Sequence, residues 1–471
     1  MWDIVVMFVL AFFAALVVTP ALRQLSLRCG WVDAPDGERK RHGRPIPRTG
    51  GVALTVAYVF AMVVTLLLEP SGLGLLPVHL MKAVRLAPAV LLVVGIGLLD
   101  DIFGLTPGTK LTGEAAAAML AFWMGGVQVT GVAGWVVPEW ASLAVTVLWL
   151  LVVTNAMNLI DGLDGLATGM ALFAVGTMMV VAVLTGQMTL LLFAAPLAGA
   201  LLGFLRYNFY PASIFLGDSG SLGVGFLLGC FGIIWSQKSA TVLALTAPLM
   251  ALTVPLLDVG VSICRRYLAG KPIFGADRGH LHHQLLSKGL SVRRAVLVAY
   301  GVALVYAVLS LAGATVGADY GGAVLVVFAA VTWMGLHQMG YVEFGAAGRL
   351  LLRSRWRGLV SGQVAVEKFG KELGAASTED EMWGVLRRWG REMGFAEVEL
   401  RINGERRREE WGEKSWEITA TLEGGATVVL GCQAGQARLE AVGPFVERLR
   451  EGLDGRAGAS QRGAGLAVSG D

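Results

Sequence analysis

The residues with the clearest chemical potential form a short polar stretch, residues 155–165, between two long apolar runs. Its amide and carboxylate residues recur at every third position: Asn155, Asn158, Asp161 and Asp164. If the preceding helix continues for about two more turns, these four side chains lie along one side of it. Such groups at the end of a membrane helix are costly and usually face water, an ion or a polar substrate. A simple helix cap is the alternative, but a cap needs only one such side chain.

Composition indicates that this stretch belongs to a membrane protein. Of the 471 residues, 55% are hydrophobic and 15% are charged, whereas soluble domains carry about 25% charged residues. A helix needs about 20 apolar residues to cross a bilayer. Eleven apolar runs approach or exceed this length, and they begin near residues 2, 50, 83, 111, 138, 166, 188, 219, 239, 295 and 320. We therefore predict an all-α polytopic membrane protein with about eleven transmembrane helices.

Basic residues are concentrated in the odd-numbered connections between these runs. The first connection, residues 23–49, and the ninth, residues 259–294, each contain seven Arg or Lys residues. The even-numbered connections contribute Lys82 and Lys238. Because positively charged loops stay in the cytoplasm, this bias predicts that the N-terminus lies outside and the C-terminus inside.

The unusual polar residues also lie in odd-numbered connections, so they can converge on one cytoplasmic face. Besides the stretch above, the candidates are Asp100, Asp101 and Lys110 in the third connection, Phe215 and Asp218 in the seventh, and Arg278, His280, His282 and His283 in the ninth. Carboxylate and amide oxygens can hold Mg²⁺, which bridges phosphate oxygens. Phosphoryl transfer needs mainly positioning and charge neutralisation, and this set of residues supplies both.

Each of these elements also has a structural interpretation. Asp100-Asp101 could be the solvated end of a helix. The three histidines could be part of a zinc site, although no Cys or acidic residue lies at a familiar zinc spacing. Asp258 precedes Arg265 by two helical turns, which favours a structural salt bridge over a catalytic role.

Four motifs, in this order along the chain, resemble the polyprenyl-phosphate N-acetylhexosamine-1-phosphate transferase family. They are Asp100-Asp101 with Lys110-Leu111, the stretch from Asn155 to Ala167, Phe215-Leu216-Gly217-Asp218-Ser219-Gly220-Ser221, and His280-x-His282-His283. The first connection adds Val32-Asp33 and Pro47-Arg48-Thr49-Gly50-Gly51 in the style of that family. The resemblance covers about residues 1–345.

The resemblance implies that the phosphate of a membrane polyprenol attacks the sugar-bearing phosphate of a UDP-sugar and releases UMP, with Mg²⁺ or, as an alternative ion, Mn²⁺. By similarity, Asn158 and Asp218 bind the metal, Lys110 contacts the diphosphate, Asp164 and Phe215 lie by uracil, and Arg278, His280, His282 and His283 face sugar and phosphate. Asp100, Asp101 and Asp161 form the implied catalytic group, and Asn155 binds substrate. Because a lipid phosphate is already largely ionised at about pH 7, we expect Asp100 and Asp101 to orient groups more than to abstract a proton.

Residues 280–291 are similar to the branch of this family that uses UDP-N-acetylglucosamine for O-antigen, enterobacterial antigen or teichoic-acid linkage. The peptidoglycan branch, phospho-N-acetylmuramoyl-pentapeptide transferase, is the second candidate, but its Gly-Trp-x-Glu segment is absent. A transporter is a third interpretation, although the charges lie at helix ends and no repeat is visible. We expect a bacterial cytoplasmic membrane enzyme that binds polyprenyl phosphate, a UDP-sugar and the bilayer, that can form a homodimer, and that binds no nucleic acid.

The domain prediction separates the membrane part from a smaller C-terminal module. Residues 1–345 form the predicted transferase domain and residues 346–362 a basic linker. Residues 363–454 read as a cytoplasmic α+β module, with a capping box at Thr378 and Glu381. Residues 455–471, rich in Gly and Ala, are a predicted disordered tail. We hypothesise a regulatory or partner-docking role for the module from its predicted cytoplasmic position.

Overall fold

The computed structural model describes residues 2–33, 45–68, 76–132, 135–236, 249–268, 280–315, 318–339, 356–376, 378–402, 405–421, 426–432, 445–449 and 466–469. The chain divides into two compact units. The first consists of Met1–Val261 with Asp277–Met334, and the second of Ser262–Ala276 with Gly335–Asp471. Every predicted site residue that the structure describes lies in the first unit.

Helices build the first unit, and two of them continue past its boundary. They are α1 (Trp2–Cys29), α2 (Gly50–Leu68), α3 (Leu76–Phe103), α4 (Pro107–Trp123), α5 (Glu139–Ile160), α6 (Leu166–Leu184), α7 (Met188–Asn208), α8 (Gly217–Ser236), α9 (Thr253–Leu268), α10 (Leu281–Ser287), α11 (Val292–Thr315) and α12 (Ala318–Met339). Two short antiparallel hairpins join some of them: β1 (Val32–Asp33) with β2 (Ile46–Pro47), and β3 (Gly131–Val132) with β4 (Trp135–Val136).

The α1 helix shows how sequence selects the buried side of a membrane helix. Ala11 and Ala15 are fully buried where α1 packs against α7 and α2. Small side chains allow helix backbones to approach closely, which favours association where lipid is as apolar as protein. Phe13 and Val17, on other sides of α1, are exposed, as expected of side chains that face lipid.

The predicted helical membrane architecture is confirmed. Within the described part of the chain, eight helices are long and apolar enough to cross a bilayer: α1, α2, α3, α5, α6, α7, α8 and α11. The predicted run near residue 111 is the 17-residue helix α4, and the run near residue 320 is α12. The run near residue 239 lies partly outside the described residues. The count of eleven spans and their orientation stay predictions.

The centre of the first unit is formed by α7 and α8. In each, 83% of the residues in its most apolar segment are buried, a larger share than in the other spanning helices of the described part. Helix α8 packs against α3 and α5, and α7 packs against α1 and α6. The first residues of α8 carry Asp218, so one of the two most enclosed spanning helices of the described part positions a predicted site residue.

The second unit contains a five-stranded antiparallel sheet with helices on one face. Helices α13 (Trp356–Ala375) and α14 (Glu379–Glu392) precede the strands β5 (Glu397–Ile402), β6 (Glu405–Glu410), β7 (Trp416–Thr421), β8 (Thr427–Cys432) and β9 (Leu466–Ser469). The strand order is β6-β5-β8-β7-β9. Phe369, Trp389, Val398, Leu430 and Phe445 belong to the core between helices and sheet. This confirms a small C-terminal unit with sheet structure.

Local predictions for this unit were partly wrong. The capping box at Thr378 and Glu381 is present. Strand β6, residues 405–410, is entirely charged and lacks the apolar alternation that indicates a strand in a sequence. The predicted disordered tail contains β9, which pairs with β7 through Ala420 and Leu466. The prediction of disorder rested on the Gly and Ala content of the whole tail. The short apolar run Leu466–Val468 within it can nevertheless add a strand to the edge of a sheet.

Ion pairs cover the face of the sheet that lies opposite the core. Glu397 and Glu399 are nearly fully buried there, because alternate residues of a strand point to opposite faces. Burial of Glu397 opposes its ionisation, but hydrogen bonds from Arg408 and Lys414 outweigh this effect and lower its pKa. A hydrogen bond of 2.7 Å from Arg406 similarly lowers the pKa of Glu399.

Candidate active site

The connection between α3 and α4 folds Lys110 back towards Asp100. Helix α3 ends at Phe103, and the backbone N–H of Leu105 donates to Asp100 Oδ1 at 2.6 Å. Thr106 caps α4 by accepting from the Thr109 N–H, and a proline follows at the first helical position. Lys110 is therefore in the first turn of α4, where its Nζ lies 3.0 Å from Asp100 Oδ2.

The start of α8 is held by Asp101. Oδ1 of Asp101 accepts from the Asp218 N–H at 2.8 Å, and Oδ2 accepts from the Ser219 N–H at 2.9 Å and the Ser219 hydroxyl at 2.8 Å. Gly217 begins α8 with a φ of 73°, a left-handed conformation that favours glycine. A Cβ on Gly217 would also collide with the carbonyl oxygen of Arg48. Asp101 thus acts as a cap that orients the backbone around Asp218.

Three helices bring oxygen atoms to the Lys110 ammonium group. Besides Asp100, Lys110 contacts Asp218 Oδ2, and its Nζ lies 3.4 Å from Asn158 Oδ1. The Asn158 amide donates in turn to the Ser221 hydroxyl at 2.9 Å, which fixes the oxygen of the amide towards the lysine. Asp100, Lys110, Asn158 and Asp218 are hereafter called the Lys110 cluster. The members of the cluster come from four different helices, and Asp100 and Asp218 are 118 positions apart in the sequence. They belong to three of the four motifs that were expected to meet.

The predicted four-residue stripe is interrupted, because α5 ends at Ile160. Asp161 occupies the C-cap, and the following Gly165 adopts a φ of 78° before α6 begins. Asp164 accepts a hydrogen bond from the Ala212 N–H at 2.9 Å. The glycines of this connection allow the tight turn that ends the helix before the stripe is complete.

Asp161 lies close enough to other carboxylates to be affected by their charge. Its withdrawal from water raises its pKa well above the usual range, and repulsion from Asp218, Asp101 and Asp164 raises it further. This concentration of negative charge marks a location where a cation is electrostatically favoured.

Asn155 contacts a carboxylate that is not among the predicted site residues. Its amide donates to Glu114 of α4 and to the Leu151 carbonyl oxygen. Glu114 is 1% exposed, and its Oε1 has no hydrogen-bond partner among the described residues. A glutamate inside an apolar run was the signal, because such a residue is costly without a polar neighbour.

Phe215 is fixed by its backbone to the segment before α2. Its N–H donates to the Pro47 carbonyl oxygen at 2.8 Å, and its carbonyl oxygen accepts from the Gly50 N–H at 3.1 Å. In the same segment, Arg48 forms an ion pair with Asp33. The predicted motifs of the first and seventh connections are therefore in direct contact, and the placement of Phe215 next to uracil stays a prediction.

The histidine motif is described only in part. Arg278 and the side chain of His282 lie outside the described residues, and His283 is exposed. His280 is buried, and its Nδ1 lies 3.1 Å from Asp258 Oδ2. Asp258 was expected to serve a salt bridge with Arg265, but its described partners are the His280 ring and the Leu281 N–H, which donates at 2.6 Å. The spacing between Asp258 and Arg265 indicates only which residues share one side of a helix. It cannot reveal a partner such as His280, which follows a long connection.

The donor set of the Lys110 cluster suits a hard divalent cation. It offers carboxylate oxygens from Asp100 and Asp218 and an amide oxygen from Asn158, all directed at one positive charge. Mg²⁺ prefers such oxygen ligands and retains several waters, so two or three protein ligands are enough. Among the described residues, no group of three or more His, Cys, Asp or Glu side chains is placed to hold a metal.

A groove of about 270 Å³ between α2, α3 and α8 has a different character. Apolar residues such as Leu54, Val90 and Leu227 form most of its lining, and Ser219 and Gly220 line one part of it. A diphosphate would find few hydrogen-bond partners there. The Lys110 cluster therefore suits a diphosphate better than this groove does.

Comparison with known proteins agrees with this location. The sequence profile of glycosyl transferase family 4 matches residues 83–236, which include the whole Lys110 cluster. A Bacillus subtilis protein described as a probable undecaprenyl-phosphate N-acetylglucosaminyl 1-phosphate transferase is 32% identical over 313 residues, covering 65% of this chain and 84% of that protein. The chain belongs to glycosyl transferase family 4. The family predicted from the four motifs is thereby confirmed.

Two other relatives of this family 4 chain differ in their described substrates. The decaprenyl-phosphate N-acetylglucosaminephosphotransferase of Mycobacterium tuberculosis is 37% identical over 307 residues, 60% of this chain and 75% of that protein. The phospho-N-acetylmuramoyl-pentapeptide-transferase of Levilactobacillus brevis is 31% identical over 291 residues, 58% of this chain and 85% of that protein. The similarity supports the N-acetylglucosamine branch more strongly than the peptidoglycan branch.

Proposed function

We propose that this family 4 member transfers N-acetylglucosamine-1-phosphate from UDP-N-acetylglucosamine to undecaprenyl phosphate at the cytoplasmic membrane face, releasing UMP and starting a lipid-linked cell-envelope glycan. The observation that carries the proposal is the Lys110 cluster, in which side chains from four helices surround one positive charge. The described activities of the Bacillus subtilis and Mycobacterium tuberculosis relatives supply the sugar and the type of acceptor.

In this proposal Asn158 and Asp218 would hold Mg²⁺, with Mn²⁺ as an alternative ion. When bound, Mg²⁺ neutralises part of the charge on the diphosphate oxygens. Lys110 contacts the diphosphate and contributes a second positive charge. Asp100 holds Lys110 in place through its contact of 3.0 Å. Oxygen donors, local negative charge and one lysine together suit a substrate that carries phosphate groups and a metal.

The reaction needs no strong base from the protein. An oxygen of the ionised lipid phosphate forms a bond to the sugar-bearing phosphorus, while the bond from that phosphorus to the bridging oxygen breaks and UMP leaves with that oxygen. Asp101 uses both carboxylate oxygens to hold the start of α8, so its proposed role is to position Asp218. Catalysis then rests on alignment and charge neutralisation, which is sufficient for phosphoryl transfer.

The remaining predicted residues have proposed roles in substrate binding or catalysis. Asp161, the third member of the predicted catalytic group, lies within electrostatic reach of Asp218, Asp101 and Asp164. Asn155, Asp164 and Phe215 bind the nucleotide sugar, and Arg278, His280, His282 and His283 face sugar and phosphate. Support for these roles comes from the family motifs that contain them.

The membrane arrangement that fits this activity is a bacterial cytoplasmic membrane protein with about eleven spans, the N-terminus outside and the C-terminus in the cytoplasm. The basic residues of the odd-numbered connections support it. This orientation would bring the polar connections to the side where nucleotide sugars are made. A homodimer is the proposed assembly.

The proposal is tested by UMP release from the purified full-length protein in detergent. Undecaprenyl phosphate and Mg²⁺ are supplied with UDP-N-acetylglucosamine or, in parallel, UDP-N-acetylmuramoyl-pentapeptide. We expect UMP with the first donor and none after chelation of the metal. Release with the second donor alone would favour the peptidoglycan branch. Absence of UMP with either donor, from protein that is monodisperse and unfolds cooperatively, would support a transporter or lipid-binding protein instead.

A further inference from the structure

Asp258 and His280 form a second polar pair in the first unit. Asp258 is 5% exposed and His280 is 8% exposed. Oδ1 of Asp258 accepts from the Leu281 N–H at 2.6 Å, and Oδ2 lies 3.1 Å from His280 Nδ1. One carboxylate on α9 therefore holds both the ring of His280 and the first backbone N–H of α10.

This geometry determines how the imidazole is protonated. An ionised carboxylate is only an acceptor, so Nδ1 of His280 carries the proton in the contact with Asp258. When the ring is neutral, Nε2 is an acceptor. When the ring is protonated, Nε2 carries a proton and becomes a donor. A buried carboxylate that bonds one ring nitrogen fixes both the tautomer and the ring orientation, as in other histidine sites.

The position of the His280 ring depends on a contact with a distant residue and not on its own helix. His280 is the N-cap of α10, but its side chain makes no capping bond to that helix. Asp258 precedes it by 22 positions and lies in the helix before the connection. The contact between them therefore fixes the beginning of the histidine motif relative to α9.

We propose that Asp258 is a positioning residue for His280, and that it presents Nε2 of His280 to the sugar phosphate group of the substrate. This rests on the proposed function, because the substrate is the one assigned above. Asp258 does not itself need to touch the reacting atoms. Its effect on the reaction passes through the imidazole.

The test is a double-mutant cycle that combines Asp258→Asn with His280→Gln. A carboxamide has one acceptor oxygen, so Asp258→Asn cannot keep both hydrogen bonds of the carboxylate. We expect Asp258→Asn to lower kcat by about ten- to a hundred-fold with little change in the KM for the UDP-sugar, as when metal-bound histidines lose an outer partner. In the His280→Gln background, the same change should lower kcat by less than about three-fold, because coupled residues are not additive.

Val261→Ala is the matched control, since Val261 is a buried residue of α9 one turn from Asp258. It should have an effect that is equal in both backgrounds. Asp258→Glu, which retains two acceptor oxygens, should recover part of the lost kcat. Equal losses from Asp258→Asn with and without His280 would overturn the proposal and leave Asp258 as a structural residue.

A second readout does not depend on turnover, so it separates this inference from the proposed function. Diethyl pyrocarbonate modifies an unprotonated ring nitrogen, and mass spectrometry of peptides measures the modification of each histidine. In the intact protein, Asp258→Asn frees the ring from its fixed tautomer and orientation, so it should change the rate of His280 modification at least three-fold and leave that of the exposed His283 unchanged. An unchanged rate at His280 would overturn the proposal even if the wild-type enzyme is active. If the wild-type protein releases no UMP but His280 responds as expected, the proposed function fails while the positioning contact stands.

Discussion

Replacing Asp101 by alanine removes the carboxylate that accepts three hydrogen bonds at the start of α8. A hydrogen bond to a charged group contributes about 1.5–3 kcal/mol, and loss of an N-terminal cap costs about 0.5–2 kcal/mol. The three bonds share one carboxylate, so we take about 3 kcal/mol for the group and not the sum of its parts. This corresponds to about a hundred-fold in the population that has Asp218 in place.

A milder variant gives an internal scale for this argument. Ser219→Ala removes only the hydroxyl bond of 2.8 Å and leaves the Asp101 carboxylate and both backbone donors. Its cost should be about 1 kcal/mol, or about five-fold. If Asp101 acts by holding α8, the two variants lose activity in the same order as they lose hydrogen bonds.

The assay is the initial rate of UMP release as a function of Mg²⁺ concentration. Misplacement of Asp218 should raise the half-saturating Mg²⁺ concentration in Asp101→Ala and, to a smaller extent, in Ser219→Ala. Thermal unfolding in detergent controls for general loss of structure. If Asp101→Ala loses turnover with unchanged Mg²⁺ dependence while Ser219→Ala is fully active, Asp101 does not act by holding α8 but acts directly on the reactants.

Three further changes test other parts of the structure. Gly217→Ala should abolish UMP release, because a side chain at this positive φ costs about 1–2 kcal/mol before any collision, whereas Gly176→Ala, with no atom within 4 Å of the added Cβ, should be close to wild type. Lys110→Met should lower kcat by about a hundred- to a thousand-fold, the effect of removing one electrostatic contact to developing charge, with normal thermal unfolding. The lowered pKa values of Glu397 and Glu399 mean that their ion pairs stabilise the C-terminal unit above their usual pKa of 4.5 and lose this effect as pH falls through the folded values. Pulse proteolysis of the intact protein in urea, followed through a C-terminal epitope, should show this acid destabilisation in wild type and much less of it in a double glutamine variant; equal pH dependence would contradict the assignment.

Sequence alone could predict which residues meet. Charged side chains at helix ends on one side of a bilayer are excluded from the hydrocarbon, so they are confined to one polar region. Asp100, Lys110, Asn158 and Asp218 were all candidates, and the structure brings them together. Membrane helices were predictable for a similar reason, since long apolar runs have no stable alternative in lipid.

The detailed partners were not predictable, because they depend on contacts between distant segments. Nothing in Asp100-Asp101 indicates that one carboxylate faces a lysine and the other caps α8. The helical spacing of Asn155 to Asp164 suggested a continuous stripe, but the glycines between them end the helix. The partner of Asp258 is separated from it by an entire connection.

We expect the Lys110 cluster to bind one divalent cation together with the nucleotide sugar. Electron paramagnetic resonance of Mn²⁺, titrated into the full-length protein with UDP-N-acetylglucosamine, measures this binding without requiring turnover. The expected result is about one bound Mn²⁺ per chain, lost in Asp218→Asn and retained in Asp3→Asn, a change in the first turn of α1. Undiminished Mn²⁺ binding by Asp218→Asn would contradict it.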